Sequence, residues 1–254
     1  MEAAPQATPG EAGRCKHFPV TIKSSPRHRL LFANRRGVSA KVDRRTRAMA
    51  SLGDLLSEAQ QLIVRQRADW GETLLHLETT NRYEVTDEEG RPVALIAERA
   101  RTVSRYVALM FLGPARPLTL EAYDPEGQLL AVGEKPHRWV FWEMRVSEGD
   151  RYLGRIEKRF SILRRRLTVY DANDKEILQI VRPLLRPWTF KVLCDGRPIA
   201  KIRKSWGGFL REAFSSADNF GLEILGDWEP HPDFLTLLLF ATLHVDYCFF
   251  ERKR

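Results

Sequence analysis

The sequence predicts an all-β fold, a closed antiparallel barrel of about 12 strands wrapped around one hydrophobic C-terminal helix. A unit of short alternating run, Asp- and Gly-rich turn and second alternating run recurs along the chain, and this is the pattern of a β-hairpin. The copies have no fixed period, which argues against a solenoid or propeller, whereas a closed sheet leaves no strand edge unpaired. Finally, Phe234 to Phe250 contains no Gly or Pro and is apolar on every helical face, so it must be enclosed by protein or by lipid. A sheet of about 12 strands is wider than the roughly eight-stranded barrel that side chains alone can fill, and this helix supplies the missing filling.

Six hairpins follow in order. The weakest joins Leu62-Ile-Val-Arg-Gln-Arg67 to Leu74-Leu-His-Leu77 through Asp69-Trp-Gly71. Tyr83-Glu-Val-Thr86 turns at Asp87-Glu-Glu-Gly90 into Val93-Ala-Leu-Ile96, and Leu118 to Tyr123 turns at Asp124-Pro-Glu-Gly127 into Leu129-Leu-Ala-Val132. Met144-Arg-Val146 turns at Glu148-Gly-Asp150 into Tyr152 to Ile156, and Leu167-Thr-Val-Tyr170 turns at Asp171-Ala-Asn-Asp174 into Ile177 to Ile180. Phe190-Lys-Val-Leu193 turns at Asp195-Gly196 into Ile199-Ala-Lys-Ile202. The helix is placed at about residues 233–251, and its apolar run Phe234 to Phe250, seventeen residues, would be roughly 25 Å long, slightly short of a ~30 Å hydrocarbon core. Asp246 inside it would cost about 2.5–3.5 kcal/mol in lipid, so burial in the barrel is the preferred reading. Phe234, Leu238, Phe240 and Phe249 are then core residues, and Asp246 needs donors on the barrel wall. His244 needs a neighbour for the same reason.

Charge divides the chain. Its 254 residues carry 41 Lys and Arg against 33 Asp and Glu, a net +8. Residues 1–50 hold eleven basic and three acidic side chains, 11 − 3 = +8, so residues 51–254 net to zero. Residues 1–50 are read as a basic, Pro-containing disordered tail, and 51–254 as one barrel domain. A neutral folded part makes nucleic acid an unfavoured partner, with the tail the only place for such binding. Cys15, Cys194 and Cys248 are far apart and form no C-x-x-C pair, which supports neither a disulfide framework nor a zinc knuckle. No apolar signal segment follows Met1, so the chain is expected not to be secreted. The nucleophile-elbow, phosphate-loop, dinucleotide and H-E-x-x-H patterns do not occur, and no enzymatic activity is expected. His76 is read as a packed or rim residue, and Trp228 as packing or as an interface aromatic.

Several stretches resemble the phospholipid scramblases, members of the tubby-like C-terminal superfamily. Leu62-Ile-Val-Arg-Gln66, Glu78 to Val85 and Ala115-Arg-Pro-Leu-Thr-Leu120 fall in that family's order. Ile202-Arg-Lys-Ser-Trp-Gly-Gly-Phe-Leu-Arg-Glu-Ala-Phe214, Ala217-Asp-Asn-Phe-Gly221 and Asp246-Tyr-Cys-Phe-Phe-Glu251 are the most specific. The resemblance covers about Leu55 to Glu251. It implies a twelve-stranded barrel around a central C-terminal helix, association with a membrane at its cytosolic face, and ATP-independent, bidirectional phospholipid movement. A peripheral module that binds anionic phospholipid without transport is the alternative, since a lone buried helix offers headgroups no polar route.

The family's cysteine cluster, the site of its palmitoylation, has no counterpart here. Its proposed calcium segment falls on Ser216 to Asp227, with Asp218, Asn219 and Asp227 as the candidate metal ligands. Ser216, Phe220 and Ile224 stand at the first, fifth and ninth positions, where calcium loops place oxygen donors, so calcium is a weakly supported cofactor. The simpler reading makes Asp218-Asn219 a turn into a last strand over Phe220 to Leu225 that points Phe220, Leu222 and Ile224 into the core. Tubby-like domains bind phosphoinositides through basic side chains. By that likeness Arg164, Arg165, Arg166, Lys201, Arg203 and Lys204 are the candidate lipid-binding residues, alongside the Arg182-Pro and Arg186-Pro pairs. Solvated surface is the competing reading for each.

Overall fold

The structure is a computed structural model that describes residues 50–66, 79–99, 117–136, 142–159, 166–186, 188–204, 219–226 and 230–250. These residues form twelve strands: β1 (Gln61–Gln66), β2 (Thr79–Thr86), β3 (Pro92–Arg99), β4 (Leu118–Tyr123), β5 (Leu129–Lys135), β6 (Trp142–Glu148), β7 (Arg151–Arg159), β8 (Arg166–Asp171), β9 (Glu176–Val181), β10 (Thr189–Cys194), β11 (Arg197–Lys204) and β12 (Asn219–Ile224). Each pairs with its sequence neighbour, and β12 returns to β1, so the sheet closes into an antiparallel barrel. Five of the six expected hairpins are β2–β3, β4–β5, β6–β7, β8–β9 and β10–β11. The run Leu74 to Leu77 lies outside the described residues, and β1 pairs instead with β2 and β12.

Turn chemistry sets the register. In β2–β3, β4–β5 and β8–β9 an Asp opens the turn, and Oδ1 of Asp87, Asp124 and Asp171 accepts the N–H of Arg91, Gln128 and Lys175 at 2.8, 2.7 and 2.9 Å. The fourth turn residue, Gly90, Gly127 or Asp174, has φ of 81, 91 or 63°, the left-handed region in which Gly is strain-free and Asp is tolerated. One device therefore builds three hairpins. Asp195 and Gly196, φ 48 and 77°, make the two-residue turn of β10–β11.

Helix α1 (Leu52–Leu56) opens on a capping box. The Asp54 N–H donates to Ser51 Oγ at 3.1 Å, and the Ser51 N–H donates back to Asp54 Oδ2 at 2.9 Å. Leu52 and Leu56 are fully buried. A Cβ on Gly53 would meet the Pro232 carbonyl oxygen at 2.0 Å, so α1 is pressed backbone to backbone against the start of the second helix.

Helix α2 (Pro232–Phe249) runs through the barrel, and Phe234 to Val245 are all buried, with Phe234, Leu238 and Phe240 fully so. Phe240 lies against the β5 backbone where Gly133 leaves room, a Cβ there falling 2.6 Å from its ring. At its N-terminal end Asp233 takes a two-pronged ion pair from Arg151 (2.6 and 2.9 Å), and Thr236 Oγ1 donates to Glu148 at 3.1 Å. Among the described residues, no helix is long and apolar enough to cross a membrane.

The barrel has two unlike rims. All five tight hairpin turns lie at the rim where α2 begins, and the strand ends joined by the longer connections lie where α2 ends.

Candidate functional site

The last turns of α2 carry His244, Asp246 and Tyr247 to the rim with the longer connections. Asp246 Oδ1 accepts from Lys204 Nζ at 3.2 Å, the side chains being 14 and 7% exposed. The clamp to the barrel wall expected of Asp246 therefore exists, supplied by the last residue of β11. Lys204 also lies 4.6 Å from the Phe250 ring centroid and 5.0 Å from that of Phe220. Tyr247 Oη donates to Glu98 Oε2 at 3.2 Å, and Asn81 Nδ2 donates to the same oxygen at 2.6 Å. Tyr83 Oη stands 3.3 Å from Tyr247 Oη, and Gln66 Nε2 donates to Asn81 Oδ1 at 2.9 Å. Three strands thus hold the helix end by one buried carboxylate network.

On the other side of the helix, Lys158 Nζ stands 3.7 Å over Trp142 and 5.2 Å from Phe249, and buried Lys135 lies 5.9 Å from Trp142. Cations here face the negative end of the α2 dipole, a favourable placement. His244, fully buried, has Nε2 3.3 Å from Cys248 Sγ. Complete burial, and then the positive charges of Lys135 and Lys158, hold its pKa down to about 3, so the imidazole is neutral at physiological pH.

An aromatic shelf covers the helix end: Trp188 stacks on Phe250 and Phe190 on Phe249, each at 5.5 Å, and Phe220 meets Phe250 at 6.0 Å. Beside it the β9–β10 connection exposes Leu184, Leu185 and part of Trp188. Charge separates along the barrel axis. Turns at the opposite rim carry Glu88, Glu89, Asp124, Glu126, Asp150, Asp174 and Asp195 against Arg91, Arg151, Lys175 and Arg197, while Arg99, Lys135, Lys158, Arg166, Arg182 and Arg186 stand at the helix-end rim with Glu98, Glu134, Glu157 and Asp246.

The sequence-selected basic residues that the structure describes are Arg166, Lys201, Arg203 and Lys204, and they do not form one patch. Arg166, 3.5 Å from Glu176, opens β8, three strands away from β11. Lys201 and Arg203 point outward and share Glu223 at 3.6 Å, whereas Lys204 points inward. Arg164 and Arg165 lie outside the described residues, as do Asp218, Asp227, His76 and Trp228. Asn219 opens β12, whose Phe220 and Leu222 are fully buried and whose Ile224 is half-buried. Five strand rises, about 17 Å, separate Asn219 from Ile224. Among the described residues no group of three or more His, Cys, Asp or Glu is placed to hold a metal ion. The Glu98–Tyr247 network escaped the sequence reading; its signal was Glu98 following Ile96 and Ala97, an acid at the buried end of an alternating strand.

A family model described as Scramblase matches residues 44–252. Mouse phospholipid scramblase 1 is 27% identical over 214 residues, 78% of this chain and 63% of the relative. Human phospholipid scramblase family member 5 is 25% identical over 216 residues, 79% of this chain and 77% of the relative. Altered inheritance rate of mitochondria protein 25 of Saccharomyces cerevisiae is 21% identical over 238 residues, 78% and 72% of the two chains. The chain spans under two thirds of the length of the phospholipid scramblase 1 relatives it matches. No solved structure matches it. With the barrel, the enclosed helix and a match over residues 44–252, this chain belongs to the scramblase family.

Proposed function

We propose that this chain is a scramblase-like protein of a membrane surface, which promotes ATP-independent, bidirectional phospholipid movement and engages anionic phospholipid at the cytosolic face. The supporting observation is the rim around the end of α2, where basic side chains and an aromatic shelf gather while the acidic turns face the other way. Headgroup phosphates suit such cations, at about 1 kcal/mol for each Lys or Arg near an anionic surface, and aromatic rings suit the interface beneath them. The relatives' name, phospholipid scramblase, supplies the substrate class. No covalent bond is broken in this reading, and no catalytic residue is required.

The test is reconstitution into vesicles carrying a fluorescent phospholipid in both leaflets, followed by dithionite. Movement between leaflets makes nearly all of the label quenchable, against about half without it. A second reading has its own support. Because Phe234 to Val245 of α2 are all buried, the described residues leave no polar route for a headgroup through the barrel. Vesicle binding with only half the label quenched would select a peripheral phospholipid-binding or regulatory module. Nucleic-acid binding through the tail is the weakest reading, since it uses nothing of the barrel.

For calcium, the proposed ligands Asp218, Asn219 and Asp227 belong to a segment with Phe220 buried at its centre. Calorimetric titration with calcium is expected to show affinity weaker than the ~10⁻⁷–10⁻⁵ M of sensor loops. Submicromolar binding would restore the metal site.

A further inference from the structure

We propose that the β9–β10 connection is a membrane-inserting tip that seats Leu184 and Leu185 in the interface of an anionic phospholipid bilayer. The inference rests on the reading that the chain works at a phospholipid surface, and names the element that makes the contact.

Leu184 and Leu185 occupy the two central positions of a turn closed by the Arg186 N–H donating to the Pro183 carbonyl at 3.3 Å. Such positions normally hold Gly, Asn, Asp or Ser, whose backbone habits suit a turn and whose exposure costs little. Here two leucines are 74 and 96% exposed, the most exposed large apolar side chains among the described residues. Nothing in the turn itself rewards leucine. A surrounding that takes up apolar side chains does.

The tip is held firmly. Pro183 fixes its own φ, and the Thr189 N–H donates to the Arg186 carbonyl at 3.2 Å. The Trp188 carbonyl accepts from the Lys204 N–H at 2.9 Å, and the Trp188 ring stacks on Phe250 at 5.5 Å. The leucines thus project from the aromatic shelf at the end of α2 on a short, anchored base, and Trp188 is left 41% exposed beside them, a ring suited to the level of headgroups.

Charge complementarity selects the occupant. Arg182 and Arg186 bracket the leucines and the connection contains no acid, while acidic turns crowd the far rim. Two apolar side chains flanked by guanidiniums match a layer of anionic phosphate over hydrocarbon. Their area is far below the about 1,200–2,000 Å² that a stable protein–protein interface buries.

The test uses the full chain with vesicles of phosphatidylcholine alone or mixed with phosphatidylserine. In flotation, the double substitution L184S/L185S is expected to weaken binding to the mixed vesicles by roughly tenfold or more, since each buried leucine contributes strongly, with thermal unfolding unchanged because both sites are exposed. R182Q/R186Q is expected to reduce the preference for phosphatidylserine. An environment-sensitive dye on L185C should shift to the blue when vesicles are added. If the wild-type chain floats and L184S/L185S floats equally well, the tip is overturned and the surface reading stands. If the dye does not respond while the chain is bound, the leucines face another partner, a protein for example, and the proposal falls. If the wild-type chain floats with neither vesicle, the tip and the surface reading fail together.

Discussion

Asp246 and Lys204 are the residues on which burial and charge compete most directly. The pair is 3.2 Å apart and largely removed from water, where the removal of one partner of an ion pair costs about 3–5 kcal/mol and replacement of both by apolar groups costs far less. Asp246→Leu is therefore expected to lower stability by roughly that amount in urea unfolding, and D246L/K204M to recover much of it; equal losses in both would deny the coupling. The need for a partner at Asp246 was legible in the sequence, because a carboxylate in an apolar helix requires one. Its identity was hidden inside the run Lys201-Ile-Arg-Lys204, which reads as a basic cluster. Alternation sorts it, since Ala200, Ile202 and Lys204 share the inward face of β11 and Lys201 and Arg203 the outward one. His244 makes a second prediction. Its pKa is about 3 in the fold, lowered by burial and then by Lys135 on β5 and Lys158 on β7, against an ordinary value near 6.5. Between those values the unfolded chain binds a proton that the folded chain refuses, so this group's contribution is full above about pH 6.5 and is lost on acidification. The slope approaches about 1.4 kcal/mol per pH unit. His244→Gln should flatten the stability profile between pH 6.5 and 4.5 relative to the wild-type chain, and parallel profiles would contradict the assignment.

Packing of whole elements depends on close approaches that a sequence pattern does not display. The path of α2 through the barrel was legible, because an all-round apolar helix and a wide barrel solve each other's problem. Its depth against β5 was not, since it depends on Gly133, an ordinary glycine in an alternating strand until Phe240 is placed over it. Gly133→Ala puts a methyl 2.6 Å from that ring, and overpacking of this kind costs about 1–3 kcal/mol. Phe240→Leu creates space at the same spot, so G133A/F240L is expected to cost less than the sum of the single substitutions. Additive losses in chemical denaturation would show that the ring and the strand do not share that space. Helix α1 was missed altogether. At five residues it is shorter than any periodicity can reveal, and its only local signal was Ser51-x-x-Asp54, a capping box followed by leucines.

At the scale of the molecule, charge is arranged by topology in a way a net count conceals. Acid-rich turns recur along the chain at intervals that look evenly mixed with basic residues, but an up-and-down barrel sends every tight turn to one rim and every longer connection to the other. Among the described residues the acid-rich turns are thereby gathered at one rim, and Arg182 and Arg186 flank the aromatic shelf at the other. The +8 of residues 1–50 is a separate electrostatic element, and the two can be told apart by salt. Tail-to-membrane attraction acts between solvated charges and fades as the Debye length shrinks from about 10 Å at 0.1 M salt to about 3 Å at 1 M. Apolar insertion at the helix-end rim does not depend on that length. Removal of residues 1–48 is therefore expected to weaken binding to phosphatidylserine-containing vesicles at least about tenfold at low salt, roughly 1.4 kcal/mol. At about 1 M salt, where the tail's charges act over only about 3 Å, the full and shortened chains should converge on one residual affinity. Equal affinities at low salt would mean that the tail is no tether, and that the barrel alone carries the attraction.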